Sequence, residues 1–188
     1  MAKDGTKHFI FDATFGGDAS TGFKREAIKG AKFFNTLGFN DPNGQYSNTF
    51  PPKEVVQARM TEQGYDVGDI IILYNQEGRI GAERGYWILH TYGFTDVYVL
   101  DGGINVWKTS GGEVEPGVEQ EKAIRISPED VHFDKTKVIY LNEILDDLQG
   151  ERTYLYVDVR PSGQYDGSQA DGNLTRGHIM GAVNIPVV

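Results

Sequence analysis

The chain contains an internal repeat, and this repeat limits the folds that are open to its 188 residues. Two runs rich in aromatic and β-branched residues, 7–14 and 153–160, each carry an aspartate near the end, Asp12 and Asp158. A continuous apolar run with a polar residue at its carboxyl end is typical of a buried parallel strand. The repeat therefore predicts two copies of one strand.

A second pair of segments follows in the same order. Residues 28–34 and 179–185 both read Ile-x-Gly-Ala and continue into a short apolar run. The aspartates at positions 12 and 158 are 146 apart, and the glycines at positions 30 and 181 are 151 apart. Two ordered matches at nearly one separation indicate a duplication, whereas a single match would mean little.

The first copy alternates patterns of strand and helix. The predicted elements are strands at 7–14, within 28–34, at 70–74 and at 97–100, with helices at 51–63, 81–92 and 104–109. In the helix at 81–92 we expect Trp87, Ile88 and Leu89 to face inward. The alternation predicts an α/β fold with a parallel sheet, right-handed crossovers and flanking helices.

The repeat also gives the predicted domain boundaries. We expect a first domain at 1–112, a linker at 113–137 that contains Pro116-Gly117, and the N-terminal part of a second domain at 138–188. Residues 138–148 predict a strand and an amphipathic helix. By register with the first copy, roughly 75 residues of the second copy are missing, so we expect that domain to be incomplete.

Three stretches together resemble a known family. Segment 86–107 reads as a helix ended by Gly, then a strand, then Leu-Asp-Gly-Gly, with Trp107 four residues after the second of these glycines. Residues 157–160 supply Asp-x-Arg, and residues 177–186 read Gly-His-Ile-Met-Gly-Ala-Val-Asn-Ile-Pro. The set is similar to the rhodanese (sulfurtransferase) family, tandem-domain type, which includes thiosulfate and 3-mercaptopyruvate sulfurtransferases. It implies a rhodanese-like parallel sheet flanked by helices, followed by an incomplete second rhodanese-like domain.

The resemblance implies a chemistry that this chain lacks the means to perform. In the family, sulfane sulfur passes through a cysteine persulfide on a loop of the second domain, while the first domain is silent. The chain has no cysteine, and Asn75 occupies the nucleophile position of its first loop. Asparagine does not form a thiolate, so we expect no catalytic residue and no activity from the chain alone.

The family's supporting residues are only partly present. Arg160 matches the first substrate-binding arginine of the second domain. Departures from the family pattern fall at Gln164, Leu37, Asn48 and Ala27. Substrate specificity therefore does not transfer directly from the family to this chain.

The loop from Asn75 to Arg84 is the candidate anion site of the first copy. Gly78 and Gly81 free the backbone, the following helix presents its N-terminus, and Arg79 and Arg84 add positive charge. One interpretation is a vestigial oxyanion cradle for a small sulfur-containing anion. Asn75, Gly78, Arg79 and Arg84 would then contact that anion.

A structural interpretation of the same loop is favoured, because glycine-rich turns from strand to helix recur in α/β folds without ligands. In this interpretation Arg84 pairs with a carboxylate at the sheet end, Asp12 or Asp101.

Arg160 has two open interpretations. Its guanidinium matches planar oxyanions and would bind the carboxylate or sulfonate-like group of a substrate. It would equally close a structural ion pair with Asp166 or Asp171. His178, inside the second repeat signature, is expected to be structural.

Composition restricts the partners. The net charge of −9 argues against nucleic acid and against an anionic membrane surface. No apolar run reaches the roughly 20 residues of a membrane helix. The four histidines show no ligand spacing, so neither a metal nor another cofactor is expected. Without an apolar leader or cysteines, the sequence favours a cytoplasmic location, with a mitochondrial one left open.

Three hypotheses for function stay open from the sequence. The chain is an incomplete or degenerate tandem sulfurtransferase, or a non-catalytic rhodanese-like module that binds a protein or an anion. The third is a homodimer, in which two chains bury the sheet edges and apolar surface of the half domain.

Overall fold

The computed structural model describes residues 7–46, 48–76, 80–118, 131–170, 172 and 176–187. The chain forms two compact units, Met1–Lys137 and Val138–Val188.

The first unit alternates strands and helices, as predicted. Its elements are β1 (His8–Asp12), α1 (Ala19–Arg25), β2 (Ala27–Ile28), β3 (Lys32–Phe33), α2 (Lys53–Gln63), β4 (Ile70–Tyr74), α3 (Ala82–Thr91), β5 (Val97–Val99), α4 (Gly103–Thr109) and β6 (Val114–Glu115). Four strands form one parallel sheet in the order β3-β1-β4-β5. Strands β2 and β6 form a separate antiparallel pair. The predicted parallel α/β architecture is confirmed.

Both faces of this sheet are covered, which explains the unbroken apolar sequence of β4. Phe9 and Phe11 of β1 face a cluster that includes Val56 and Met60 of α2. Side chains alternate along a strand, so Ile10 faces the opposite cluster. That second cluster includes Ile104 of α4. A central strand between two helical layers has no solvated face, so Ile70–Tyr74 has no polar alternation.

The ends of α2, α3 and α4 lie within two residues of the predicted ends. Helix α2 ends where Gly64 adopts a left-handed conformation, with φ 76°.

In α3, Ile88 and Leu89 are buried as expected, but the prediction for Trp87 is wrong. Its side chain is 38% exposed, packs against Phe50 and donates from Nε1 to the carbonyl of Lys137.

Described parts of the predicted linker belong to the first unit. Residues 114–115 form β6, which pairs with β2. Val131 is buried in the main core, and the backbone N–H of Asp134 donates to the carbonyl of Thr91. Residues 114–115 and 131–134, at the two ends of the predicted linker, therefore pack against the first unit.

The second unit is smaller and more exposed. Its elements are α5 (Leu141–Gln149), β7 (Val157–Asp158), α6 (Ser162–Tyr165) and β8 (Val183–Asn184). Strands β7 and β8 are parallel neighbours. The predicted strand within 138–148 is absent from the described backbone, where residues 138–140 are irregular before α5. Of the buried parallel strand predicted at 153–160, only the short β7 forms; it is parallel and ends in Asp158 as predicted, but Val157 is exposed, so the predicted burial is wrong.

The two units repeat one local geometry. Asp12 lies opposite Phe33 in the first unit, and Asp158 lies opposite Asn184 in the second. The N–H two residues after each aspartate donates to its Oδ1, at 3.0 Å from Thr14 and 2.9 Å from Arg160. The duplication visible in the sequence is therefore also present in the backbone.

Candidate functional site

Asn75, the residue at the nucleophile position, caps a helix. Its Oδ1 accepts from the N–H of Ala82 at 2.8 Å, which satisfies one of the unpaired donors at the start of α3. Its Nδ2 donates to both carboxylate oxygens of Glu83, at 3.1 and 3.2 Å. These hydrogen bonds give the Asn75 amide a structural role, and an amide is not a nucleophile.

Two glycines allow the backbone to pass close to this loop. Gly103 has φ 56°, and a Cβ there would overlap the carbonyl oxygen of Asn75. Gly81 has φ 142°, and a Cβ there would overlap the carbonyl oxygen of Ala13. The ends of β1, β4 and the turn before α4 are thus held together by positions that only glycine occupies without strain.

Arg84 does not make the predicted ion pair with Asp12 or Asp101. Its Nη2 donates to the carbonyl of Phe39 at 3.0 Å, to Oδ1 of Asn40 at 3.2 Å and to the carbonyl of Thr49 at 3.5 Å. Burial lowers the pKa of the guanidinium. Long arginine side chains reach distant carbonyls, and the position of those carbonyls was not visible in the sequence.

Gly78 and Arg79 lie outside the described residues, so an oxyanion cradle at this loop stays a prediction. Among the loop residues that are described, Asn75 and Arg84 bind separate protein partners.

Arg160 forms a bidentate pair with Asp158, a partner that the sequence interpretation missed. Nε lies 3.0 Å from Oδ1, and Nη2 lies 2.6 Å from Oδ2 and 2.8 Å from the carbonyl of Gly177. The hydrogen bonds from Arg160 hold the pKa of Asp158 below its ordinary value. The predicted pair with Asp166 does not form: Asp166 accepts from Ser168 instead. Asp171 lies outside the described residues.

Arg160 also borders a cavity in the second unit. The cavity measures about 370 Å³ and is lined on its other sides by β7 and by Ile179 and Ala182. His178 lies near this region in a structural arrangement, with Nδ1 2.7 Å from the carbonyl of Tyr165 and its ring stacked on that side chain.

A polar network in the first unit was missed by the sequence analysis. Asp12 is fully buried and accepts from the backbone N–H of Thr14, from its Oγ1 at 2.5 Å and from Nε2 of Gln76 at 2.5 Å. Burial, and then the Asp12 charge, raise the pKa of the Tyr74 hydroxyl, which stays protonated. The sequence signal for this network was the repeated turn, Asp-x-Thr at 12–14 and Asp-x-Arg at 158–160, because an aspartate side chain commonly accepts from the N–H two residues later.

The described residues hold neither a cluster of metal ligands nor a helix that could cross a membrane. No group of three or more potential metal-ligating side chains was found there. The helices in the described ranges are too short or too polar to cross a membrane.

Comparisons with known proteins agree with these features. Residues 1–110 match the family model "Rhodanese-like domain". Over 173 residues the chain is 30% identical to thiosulfate sulfurtransferase from Gallus gallus, covering 90% of this chain and 58% of that protein. It is 27% identical over 179 residues to thiosulfate/3-mercaptopyruvate sulfurtransferase 2 from Arabidopsis thaliana, covering 85% and 52%.

A solved structure has a similar fold. The crystal structure of SseA from Escherichia coli, a study of the rhodanese fold and mechanism of 3-mercaptopyruvate sulfotransferases, superposes with a TM-score of 0.80 at 25% identity. The superposition covers 97% of this chain and 70% of that one. The chain spans just over half the length of the curated relatives described above. The family match over the first unit, its parallel sheet and these relatives lead to one conclusion: the chain belongs to the rhodanese-like family.

Proposed function

We propose that the chain is the non-catalytic first domain, and the opening of the second domain, of a tandem sulfurtransferase. In the complete reaction a cysteine thiolate attacks the outer sulfur of thiosulfate and expels sulfite, or takes the sulfur of mercaptopyruvate and releases pyruvate. The resulting persulfide passes its sulfur to a thiol or to cyanide. Residues 1–188 supply scaffold and substrate contacts, and carry out neither displacement by themselves.

The absence of cysteine is the observation that carries this proposal. The hydrogen bonds of Asn75 support it, because a side chain that caps a helix and holds Glu83 has a structural reason to be present.

A thiocyanate assay tests the proposal. The chain is purified from a host that lacks its own sulfurtransferases and is supplied with thiosulfate and cyanide. We expect thiocyanate to form at the rate of a protein-free blank, while an active family member assayed in parallel gives turnover. Thiocyanate production above the blank that co-purifies with the chain through a second column would refute the proposal.

Anion binding without catalysis is the second candidate, and Arg160 is the residue that favours it. A guanidinium that borders a cavity of about 370 Å³ suits a carboxylate or sulfur oxyanion. Asn75, Gly78, Arg79 and Arg84 form the weaker candidate site of the first unit. Saturable binding of thiosulfate that is lost in Arg160→Gln, and kept in the exposed control Arg176→Gln, would support the second-unit site. Equal binding by both variants would reject it.

Self-association is a third candidate, favoured by the surface of the second unit. Strand β7 has one neighbouring strand, β8, among the described residues. Large apolar side chains are exposed in the same unit: Leu141, Leu145, Leu155, Val157, Val159, Met180, Ile185 and Val187. An open strand edge beside apolar surface is a template for pairing with a second copy. Sedimentation at the monomer mass across a wide concentration range would exclude this candidate.

A further inference from the structure

The first unit contains a polar cleft that the sulfur-transfer proposal does not use. It measures about 370 Å³, in the size range of small-ligand sites. It lies between α1 and α4, beside Thr14 and Gln76, which follow β1 and β4. In the sheet, β3 lies on one side of β1 and β4 lies on its other side, although both follow β1 in the sequence. Crevices at the carboxyl ends of strands, where the strand order reverses in this way, are the usual ligand positions of open α/β sheets.

The floor of the cleft is electronegative. Buried Asp12 accepts hydrogen bonds from two residues of the lining, Thr14 and Gln76, and both are neutral donors. None of the described lysines and arginines contacts Asp12. A buried carboxylate without a cation leaves a negative potential at the adjoining surface, and this favours a ligand group that is positively charged.

Gln76 presents an acceptor to this region. Both hydrogens of its Nε2 are used, one on Asp12 Oδ2 and one on the carbonyl of Glu26 at 3.0 Å. The two acceptors fix the orientation of the amide. Its Oε1 has no hydrogen-bond partner in the described part of the chain, so it is available to an ammonium group.

Elsewhere the lining holds the carboxylate of Asp18 near the start of α1, a cation and a neutral amide. Arg25 of α1 and Asn105 of α4 both line the cleft, and neither side chain has a partner among the described residues. Lys108, by contrast, is paired with Glu26 at 2.7 Å, which neutralises both charges at that wall. The guanidinium of Arg25, with the amide of Asn105, suits a carboxylate.

We propose that this cleft binds a small zwitterion, of the class of free amino acids. The ammonium group binds at Gln76 Oε1 above buried Asp12, and the carboxylate binds Arg25 and Asn105. A simple anion would meet the negative potential of buried Asp12, and a simple cation would share the cleft with the positive charge of Arg25. A ligand that carries both charges matches both ends of the site. Ligand binding at the cleft involves no thiol. A failure of the sulfur-transfer proposal would therefore leave this one unaffected, and the reverse also holds.

The test is a titration of the full ¹⁵N-labelled chain, followed by NMR. Glycine, β-alanine and 4-aminobutyrate are the probes, with acetate and methylammonium as single-charge controls. We expect saturable shifts of the side-chain amides of Gln76 and Asn105 with at least one zwitterion, at concentrations where both controls are inert. The preferred probe length then reports the separation of the two charge sites.

Variants assign the site. Arg25→Gln should weaken zwitterion binding about tenfold, since a charge-assisted hydrogen bond is lost. Lys24→Gln is the matched control, because it makes the same charge change on the preceding residue of α1, which does not line the cleft. Asn105→Ala, on α4, is a second variant in case Arg25→Gln perturbs α1. The proposal is overturned if no zwitterion outperforms the controls, or if Lys24→Gln weakens binding as much as Arg25→Gln.

Discussion

At the scale of single residues, several positions are defined by backbone geometry more than by chemistry. Gly103 has positive φ and lies against the carbonyl of Asn75. Asn75 itself, at the place of a nucleophile, serves the N-terminus of α3. Arg160 is held by Asp158 and by the carbonyl of Gly177. Each residue has a local partner that explains its identity without catalysis.

Gly103→Ala should destabilise the first unit by about 2 kcal/mol or more, since alanine strains the positive φ and overlaps a fixed carbonyl. The measurement is urea unfolding followed by tryptophan fluorescence, because Trp87 and Trp107 both lie in this unit. Gly17→Ala is the control, where no atom lies within 4 Å of the added methyl group. Equal midpoints for the two variants would contradict the close approach at Gly103.

Arg160→Gln should raise the pKa of Asp158. The folded-state value is depressed by the bonds from Arg160, so this pair adds stability above the unfolded pKa of about 3.9. That stability is lost as pH falls through the folded value. Carboxyl ¹³C NMR across an acid titration checks the shift, with Arg176→Gln as control. An unchanged Asp158 pKa in Arg160→Gln would show that the pair does not persist in solution.

At the scale of elements, the turns that follow strands and lead into helices decide the geometry of the candidate sites. The loop between β4 and α3 is closed by Asn75 and Glu83, while Gln76 and Thr14 join the ends of β4 and β1. Helix α3 therefore begins at a capped turn. The same loop contributes Gln76 to the lining of the cleft beside β1.

Asn75→Ala should destabilise the first unit by about 1 kcal/mol, because the N–H of Ala82 loses its acceptor. Amide hydrogen exchange at Ala82 should accelerate, while exchange in the middle of β4 follows only the global change. The exposed Asn43→Ala is the control. If Ala82 keeps its protection in Asn75→Ala, the capping role is wrong.

At the scale of the whole molecule, the two units differ in how much of their sheet is covered. The first unit has four parallel strands between helical layers. The second has two short strands among its described residues, and helix α5 contains no buried residue. A two-stranded sheet is marginal by itself, so the units should differ in stability.

Hydrogen exchange of the full chain should therefore show stronger protection in β1 and β4 than in β7 and β8. Repeating the measurement at increasing protein concentration separates two cases. Protection of β7 that rises with concentration supports self-association, while protection that is constant and weak supports an isolated half domain. Equal protection of both units at low concentration would contradict the expected difference.

Local patterns determined much of the first unit. Its parallel α/β fold, the bounds of β4 to within a residue and the family were all predictable, since they depend on apolar periodicity, glycine stops and short motifs. The absence of cysteine, and so of a thiol, is also read directly from the sequence. The repeat likewise predicted that Asp12 and Asp158 would hold equivalent places.

Only the tertiary structure decided which partner each polar side chain takes. Arg84 binds carbonyls more than 30 positions away, Trp87 is partly exposed, and residues 131–134 pack on the first unit. The cleft beside Asp12 brings together α1, α4 and two strand ends that are far apart in sequence. Periodicity reports which face of an element is buried, whereas side-chain pairing depends on distances set by the packing of all the elements at once.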